Sequence, residues 1–126
     1  MNEPDIRDRP GYGDARLPPS KVMLLDCSET SSGKEMIEAL VRLPGLRIER
    51  ILSLNSASPP GFWYEQEDYE WVLVLSGWGD VEFEDGKLVR LLPGEALNIP
   101  PGCRHRVAGT DPDVATVWLA VHAAVD

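Results

Sequence analysis

From Leu46 onward, apolar and polar positions alternate in short runs separated by turn-forming residues. Arg47-Ile48-Glu49-Arg50-Ile51-Leu52-Ser53-Leu54 is mostly alternating with one apolar face, and Val81-Glu82-Phe83-Glu84 alternates cleanly. This period of two is the mark of a half-buried strand. Trp71-Val72-Leu73-Val74-Leu75 is almost continuously apolar and predicts a strand covered on both faces. Asp85-Gly86 signals a two-residue hairpin into a strand from Lys87 to Leu92. Pro93-Gly94 turns the chain into the apolar run Ala96, Leu97, Ile99, and Pro100-Pro101-Gly102 then reverses it. Further strands follow from His105 to Ala108 and from Thr116 to Ala124, and Lys21 to Asp26 predicts one near the start. About eight short strands with turn signals every eight to twelve residues read as a sandwich or barrel.

One segment departs from this pattern. Ser32-Gly33-Lys34-Glu35 matches a capping box, Met36, Ile37, Leu40 and Val41 follow at helical spacing, and Pro44-Gly45 stops the run. A short helix over about residues 33–43 is expected. The Ser-Ser-Gly-Lys sequence is not a phosphate loop, because Ser28 stands where the leading glycine belongs and Glu35 where a Ser or Thr must follow the lysine. Residues 1–20, rich in proline and without apolar periodicity, predict a flexible arm; residues 21–126 predict a single domain with its barrel core over about 46–124.

Composition narrows the partners. The 126 residues carry a net charge of −9, which argues against nucleic acid or an anionic membrane surface. No apolar run reaches bilayer length and no basic–apolar leader is visible, so a cytoplasmic protein is expected. In that compartment Cys27 and Cys103 are expected as free thiols. His105 and His122 are the chain's two histidines.

Two motifs together resemble the cupin superfamily, in particular its small single-domain bacterial members. The family's second motif is G-x5-P-x-G-x2-H-x3-N. Gly94, Pro100, Gly102 and His105 fall on it, with Gly109 in place of the asparagine. The first motif is G-x5-H-x-H-x3,4-E-x6-G, and Glu70 and Gly77 match its last two positions. The resemblance implies an all-β fold, a double-sheet jelly-roll barrel with its pocket between the sheets, which here would carry one short N-terminal helix. It also implies a metal held by two histidines and a glutamate of the first motif and one histidine of the second. The first motif is degenerate: its two histidine positions hold Tyr64 and Gln66, or Trp63 and Glu65 in the longer register.

The resemblance therefore implies a site around Glu70 and His105, as an acid–base pair or as metal ligands with Gln66. A divalent ion such as Zn, Fe, Ni or Mn is the expected cofactor. Tyr64, Gln66, Arg106 and His122 are candidate contacts for a small polar ligand. Arg104 and Arg106 should point away from His105 by strand alternation, toward an anionic substrate or toward neighbouring acids. Cys103, two residues before His105, is a further candidate ligand or a packed loop residue. The expected activity is small-molecule binding in the barrel or, alternatively, metal-dependent catalysis of the oxygenase, isomerase or lyase type. A homodimer is expected, since cupins are commonly dimers and four tryptophans leave room for an apolar interface.

Overall fold

Tight turns divide the chain into eight strands, which the computed structural model describes within residues 19–125. They are β1 (Lys34–Leu43), β2 (Leu46–Leu54), β3 (Tyr69–Ser76), β4 (Gly79–Phe83), β5 (Leu88–Leu91), β6 (Ala96–Ile99), β7 (His105–Thr110) and β8 (Thr116–Ala123). One sheet has the order β1-β2-β8-β3-β6 and the other β5-β4-β7. Their pairings are antiparallel. This is the expected jelly-roll barrel. Val72, Val74, Val81, Leu91, Ile99, Trp118 and Ala120 form the buried core between the sheets.

The expected helix over 33–43 is instead β1. It pairs with β2 from Lys34↔Leu54 to Leu43↔Leu46, so Pro44-Gly45 is a hairpin turn rather than a helix stop. Gly45 supplies the positive φ of 74° that the turn requires. The register shifts between Ala39 and Val41, where an extra residue bulges out of the strand. That insertion spaces the apolar positions by three and four and so imitates a helical period. The strand expected over Lys21–Asp26 is also absent. Met23, Leu24 and Asp26 instead present their carbonyls to the guanidinium of Arg50, at 2.9, 3.2 and 3.2 Å. The arm expected over residues 1–20 lies, up to residue 18, outside the described residues.

Strand registers place the inward side chains in rows across the larger sheet. Ile37, Ile51 and Trp118 make one row, and Trp118 donates its indole N–H to Ser53 Oγ at 3.2 Å. A second row, nearer one end of the barrel, runs Arg42, Arg47, His122, Glu70, Ile99. Chemistry concentrates in that second row.

Candidate functional site

The two sheets enclose a cavity of about 230 Å³ walled by Ile37, Ile51, Val72, Val81, Ile99, Val107 and Trp118. Into this apolar cup project Glu35, Arg47, Glu49, Tyr64, Gln66, Glu70, His105 and His122. Glu70, His105 and His122 are nearly inaccessible, at 8%, 6% and 5% exposure. Carboxylates and imidazoles at that depth must be paired, protonated or bound to a cation, because an isolated buried charge costs several kcal/mol.

The Pro101-Gly102 turn sets His105 as the sequence implied. Gly102 N–H donates to Gln66 O at 2.7 Å, and Tyr64 and His105 exchange both backbone hydrogen bonds. The loop carrying Tyr64 and Gln66 is thereby fastened to the start of β7, with the Tyr64 ring stacked on the His105 imidazole at 5.5 Å between centroids. His105 Nδ1 lies 2.9 Å from Cys103 O, and a carbonyl can only accept, so Nδ1 carries a proton. His105 Nε2 then faces Glu70 Oε1 at 3.3 Å. His122, on β8, repeats the arrangement. Its Nδ1 lies 3.1 Å from Gln66 Oε1. Its Nε2 lies 3.2 Å from Glu49 Oε1 and 3.8 Å from Glu70 Oε2. Glu70 thus sits between two imidazoles, and its buried Oε1 has no polar partner among the described residues but His105 Nε2.

The surroundings tune these groups. Burial pulls the His105 pKa down, but the hydrogen bonds to Glu70 and Cys103 and the Glu70 charge outweigh it and leave it raised. Burial pushes Glu49 up, yet the His122 hydrogen bond and the Arg47 charge win, so its carboxyl falls below the usual range. Tyr64 is pushed up to about 12 by burial and by the charges of Glu35, Glu70 and Glu49. Burial raises Glu35 as well.

Of the residues singled out in the sequence, Tyr64, Gln66, Glu70, His105 and His122 all line one cavity. Arg106 stands outside it. Its guanidinium is bonded to Glu82 at 3.0 Å and to Ser58 O at 2.8 Å. Arg104 pairs with Glu84 and lies over Trp63. The Cys103 thiol packs against the hydrophobic core, and both Cys27 and Cys103 are free thiols. Glu35, Arg47 and Glu49 carried no sequence motif. Alternation on β2 puts Arg47 and Glu49 on one face with Ile51, and that spacing was the available signal.

A metal requires donors that converge. Among the described residues no group of three or more His, Cys, Asp or Glu side chains stands as a ready metal site. The donor chemistry nevertheless fits a divalent ion. His105 gives its Nδ1 proton to the Cys103 carbonyl, which leaves Nε2 for a metal or a second proton, and a carbonyl-oriented imidazole is how metal-ligating histidines are held. The buried Glu70 Oε1 lies 3.3 Å from His105 Nε2.

A family model described as a cupin domain matches residues 56–122. A crystal structure from Ralstonia eutropha JMP134, provisionally named a mannose-6-phosphate isomerase, is 43% identical, with a TM-score of 0.78. The similarity covers 85% of this chain and 100% of that one. A cupin superfamily protein from Desulfitobacterium hafniense DCB-2 has a TM-score of 0.68 at 17% identity, over 86% of this chain and 95% of its own. A structure of Fe(II) HppE shares the fold with a TM-score of 0.61 at 17% identity, over 70% of this chain and 49% of its own. No curated protein matches the chain.

Proposed function

Because this chain belongs to the cupin domain family, we propose that its barrel binds a small polar molecule beside a divalent metal ion held by His105, His122, Glu70 and Glu49. The observation that carries the reading is the doubled arrangement at Glu70. His105 turns Nε2 toward the buried Glu70 carboxylate at 3.3 Å, and His122 Nε2 stands between Glu49 and Glu70 at 3.2 and 3.8 Å. A divalent ion bound there supplies Lewis-acid polarisation of a ligand oxygen.

The chain's own residues do the remaining work. The carbonyl of Cys103 and the side chain of Gln66 hold the two rings in orientation. Tyr64, neutral across the physiological range, offers a phenol to a ligand at the cavity wall. The apolar walls exclude water and strengthen every polar contact inside. The 3.3 Å approach of His105 Nε2 to Glu70 Oε1 also favours a second reading, a metal-free acid–base pair in which a proton is shared between these two groups.

Metal content decides between them. The protein is purified metal-free, offered zinc, iron, nickel and manganese in turn, and dialysed. About one ion per chain is expected in the wild type, with loss in Glu70→Ala and in His105→Ala. Retention no greater than in the Glu70→Ala/His105→Ala double variant refutes the metal reading and leaves the acid–base pair.

A further inference from the structure

A second space of about 160 Å³ lies beside the cavity, with Arg42, Arg47, Asp68 and His122 among its lining residues, and Arg47 and His122 border both. Arg42 and Arg47 are direct cross-strand partners and lie in the same row as His122 and Glu70. Like charges placed directly opposite each other repel. In a chain of net charge −9 such a pair calls for a cause.

The β1 bulge supplies part of the explanation. Before it, Glu35, Ile37 and Ala39 share the inner face opposite Ser53, Ile51 and Glu49. Unbroken alternation would next turn Val41 inward and Arg42 outward. The extra residue between Ala39 and Val41 reverses this, so Arg42 pairs with Arg47 and lines the cavity mouth. Arg42 Nε is buried there without an acceptor among the described residues. Arg47 Nε lies 2.9 Å from Glu49 Oε2 as an ion pair, and a guanidinium has four further N–H donors. Glu49 answers Arg47, and Asp68 lines the same space, so Arg42 is the guanidinium there with no ion-paired carboxylate among the described residues. Carboxylates and imidazoles thus line the inside of the cavity, and two guanidiniums stand together at one end.

We infer that this mouth is an anion subsite, in which Arg42 and Arg47 hold a phosphate or carboxylate group of the small molecule bound in the barrel. The inference rests on the cavity being a ligand site and names the class of its ligand. Paired guanidinium forks suit such oxygens because each can donate two parallel hydrogen bonds. The ligand is then a small molecule whose anionic end lies at Arg42 and Arg47 while its polar body reaches Glu70 and His105.

The test uses inorganic phosphate and acetate as separate probes, with glycerol as the neutral control, followed by calorimetry and by amide NMR shifts at β1 and β2. Saturable binding of one anion, with none for glycerol, is expected; which anion binds distinguishes a phosphorylated from a carboxylated ligand. Arg42→Gln and Arg47→Gln should each weaken it roughly tenfold, Arg42→Lys should do so less, and Asp68→Asn should strengthen it. Arg42→Gln should leave the thermal midpoint of the free protein unchanged or higher, because it relieves repulsion, whereas a purely structural arginine would lower it. Anion binding that survives both glutamine variants, or no saturable binding at all, overturns the inference. Metal retention by Arg42→Gln, a residue ion-paired to none of the proposed metal ligands, is measured separately and reports on the metal end, so failure at one end of the cavity is distinguishable from failure at the other.

Discussion

Gly79 offers a sharp test of how the cavity wall is packed. A Cβ built on it would stand 2.2 Å from both Cη2 and Cζ2 of Trp118, well inside any tolerated contact. Trp118 has no easy retreat. It is 4% exposed, it donates to Ser53 Oγ, and its free side is the cavity itself. Gly79→Ala must therefore push the indole toward the cavity and break the bond to Ser53. Overpacking costs about 1–3 kcal/mol and the lost hydrogen bond about 1 kcal/mol. Reduced freedom of the unfolded chain returns about 0.4–1 kcal/mol. The net loss is about 2 kcal/mol, which at a urea slope of about 2 kcal/mol/M moves the unfolding midpoint down by about 1 M. Trp118→Phe removes the two offending atoms. It has its own cost, but Gly79→Ala added on top of it should cost less than about 0.5 kcal/mol, a coupling of about 1.5–2 kcal/mol in the double-mutant cycle. Urea unfolding followed by far-UV circular dichroism reads all four proteins. Additive effects, or a Gly79→Ala protein as stable as wild type, would show that the indole is not pinned where these contacts place it.

Two other expectations are simpler. Tyr64 should stay a neutral phenol until about pH 12 because burial and the neighbouring carboxylates oppose its ionisation; ultraviolet titration should show one tyrosine ionising late, and Tyr64→Phe should remove that phase. The sign for stability follows: the unfolded phenol ionises near pH 10, so the Tyr64 contribution is intact below that and is lost as pH rises toward about 12. The outer face of the larger sheet brings half-buried Ile48, Trp71, Leu73, Leu119 and Val121 together, an apolar surface suited to a second copy of this chain. Light scattering should therefore give a dimer, with Leu73→Lys a folded monomer; a monomeric wild type would refute this.

Turn chemistry was the most legible part of the sequence. Asp85-Gly86, Pro93-Gly94 and Pro101-Gly102 each reverse the chain where the residues demand it, and Gly86, Gly94 and Gly102 take the positive φ of 90°, 88° and 75°. His105 followed from the last of these, since the turn leaves its side chain one direction to point. β1 was misleading for a local reason. A bulge inserts one residue into a period of two, and the capping-box residues before it carry the same signal whether or not a helix follows. On β2 the alternation was visible but its direction was not. The apolar stripe of Ile48, Leu52 and Leu54 lies on the outer side, and the face turned to the cavity is Arg47, Glu49, Ile51 and Ser53. A period marks two faces of a strand; only the neighbouring strands decide which of them looks inward.

A polar site can form here without the histidines of the first motif. Motif spacing describes one loop and one strand, while a buried cluster is assembled across strands whose sequence positions are far apart. Tyr64 and Gln66, the histidine positions of the shorter register, line the cavity, yet β8 lies between β2 and β3 and carries His122 in register with Glu70 on one side and Arg47 on the other. The second imidazole of the cavity thus comes from the last strand. Gln66, standing where a ligand was expected, reaches that imidazole and fixes its Nδ1 proton. Replacing Gln66 should therefore disturb His122 before it disturbs His105, whose ring is held by a backbone carbonyl that no side-chain substitution at position 66 removes. The two imidazoles are held by different partners and both approach Glu70, which makes that carboxylate the residue on which both the metal and the acid–base readings depend.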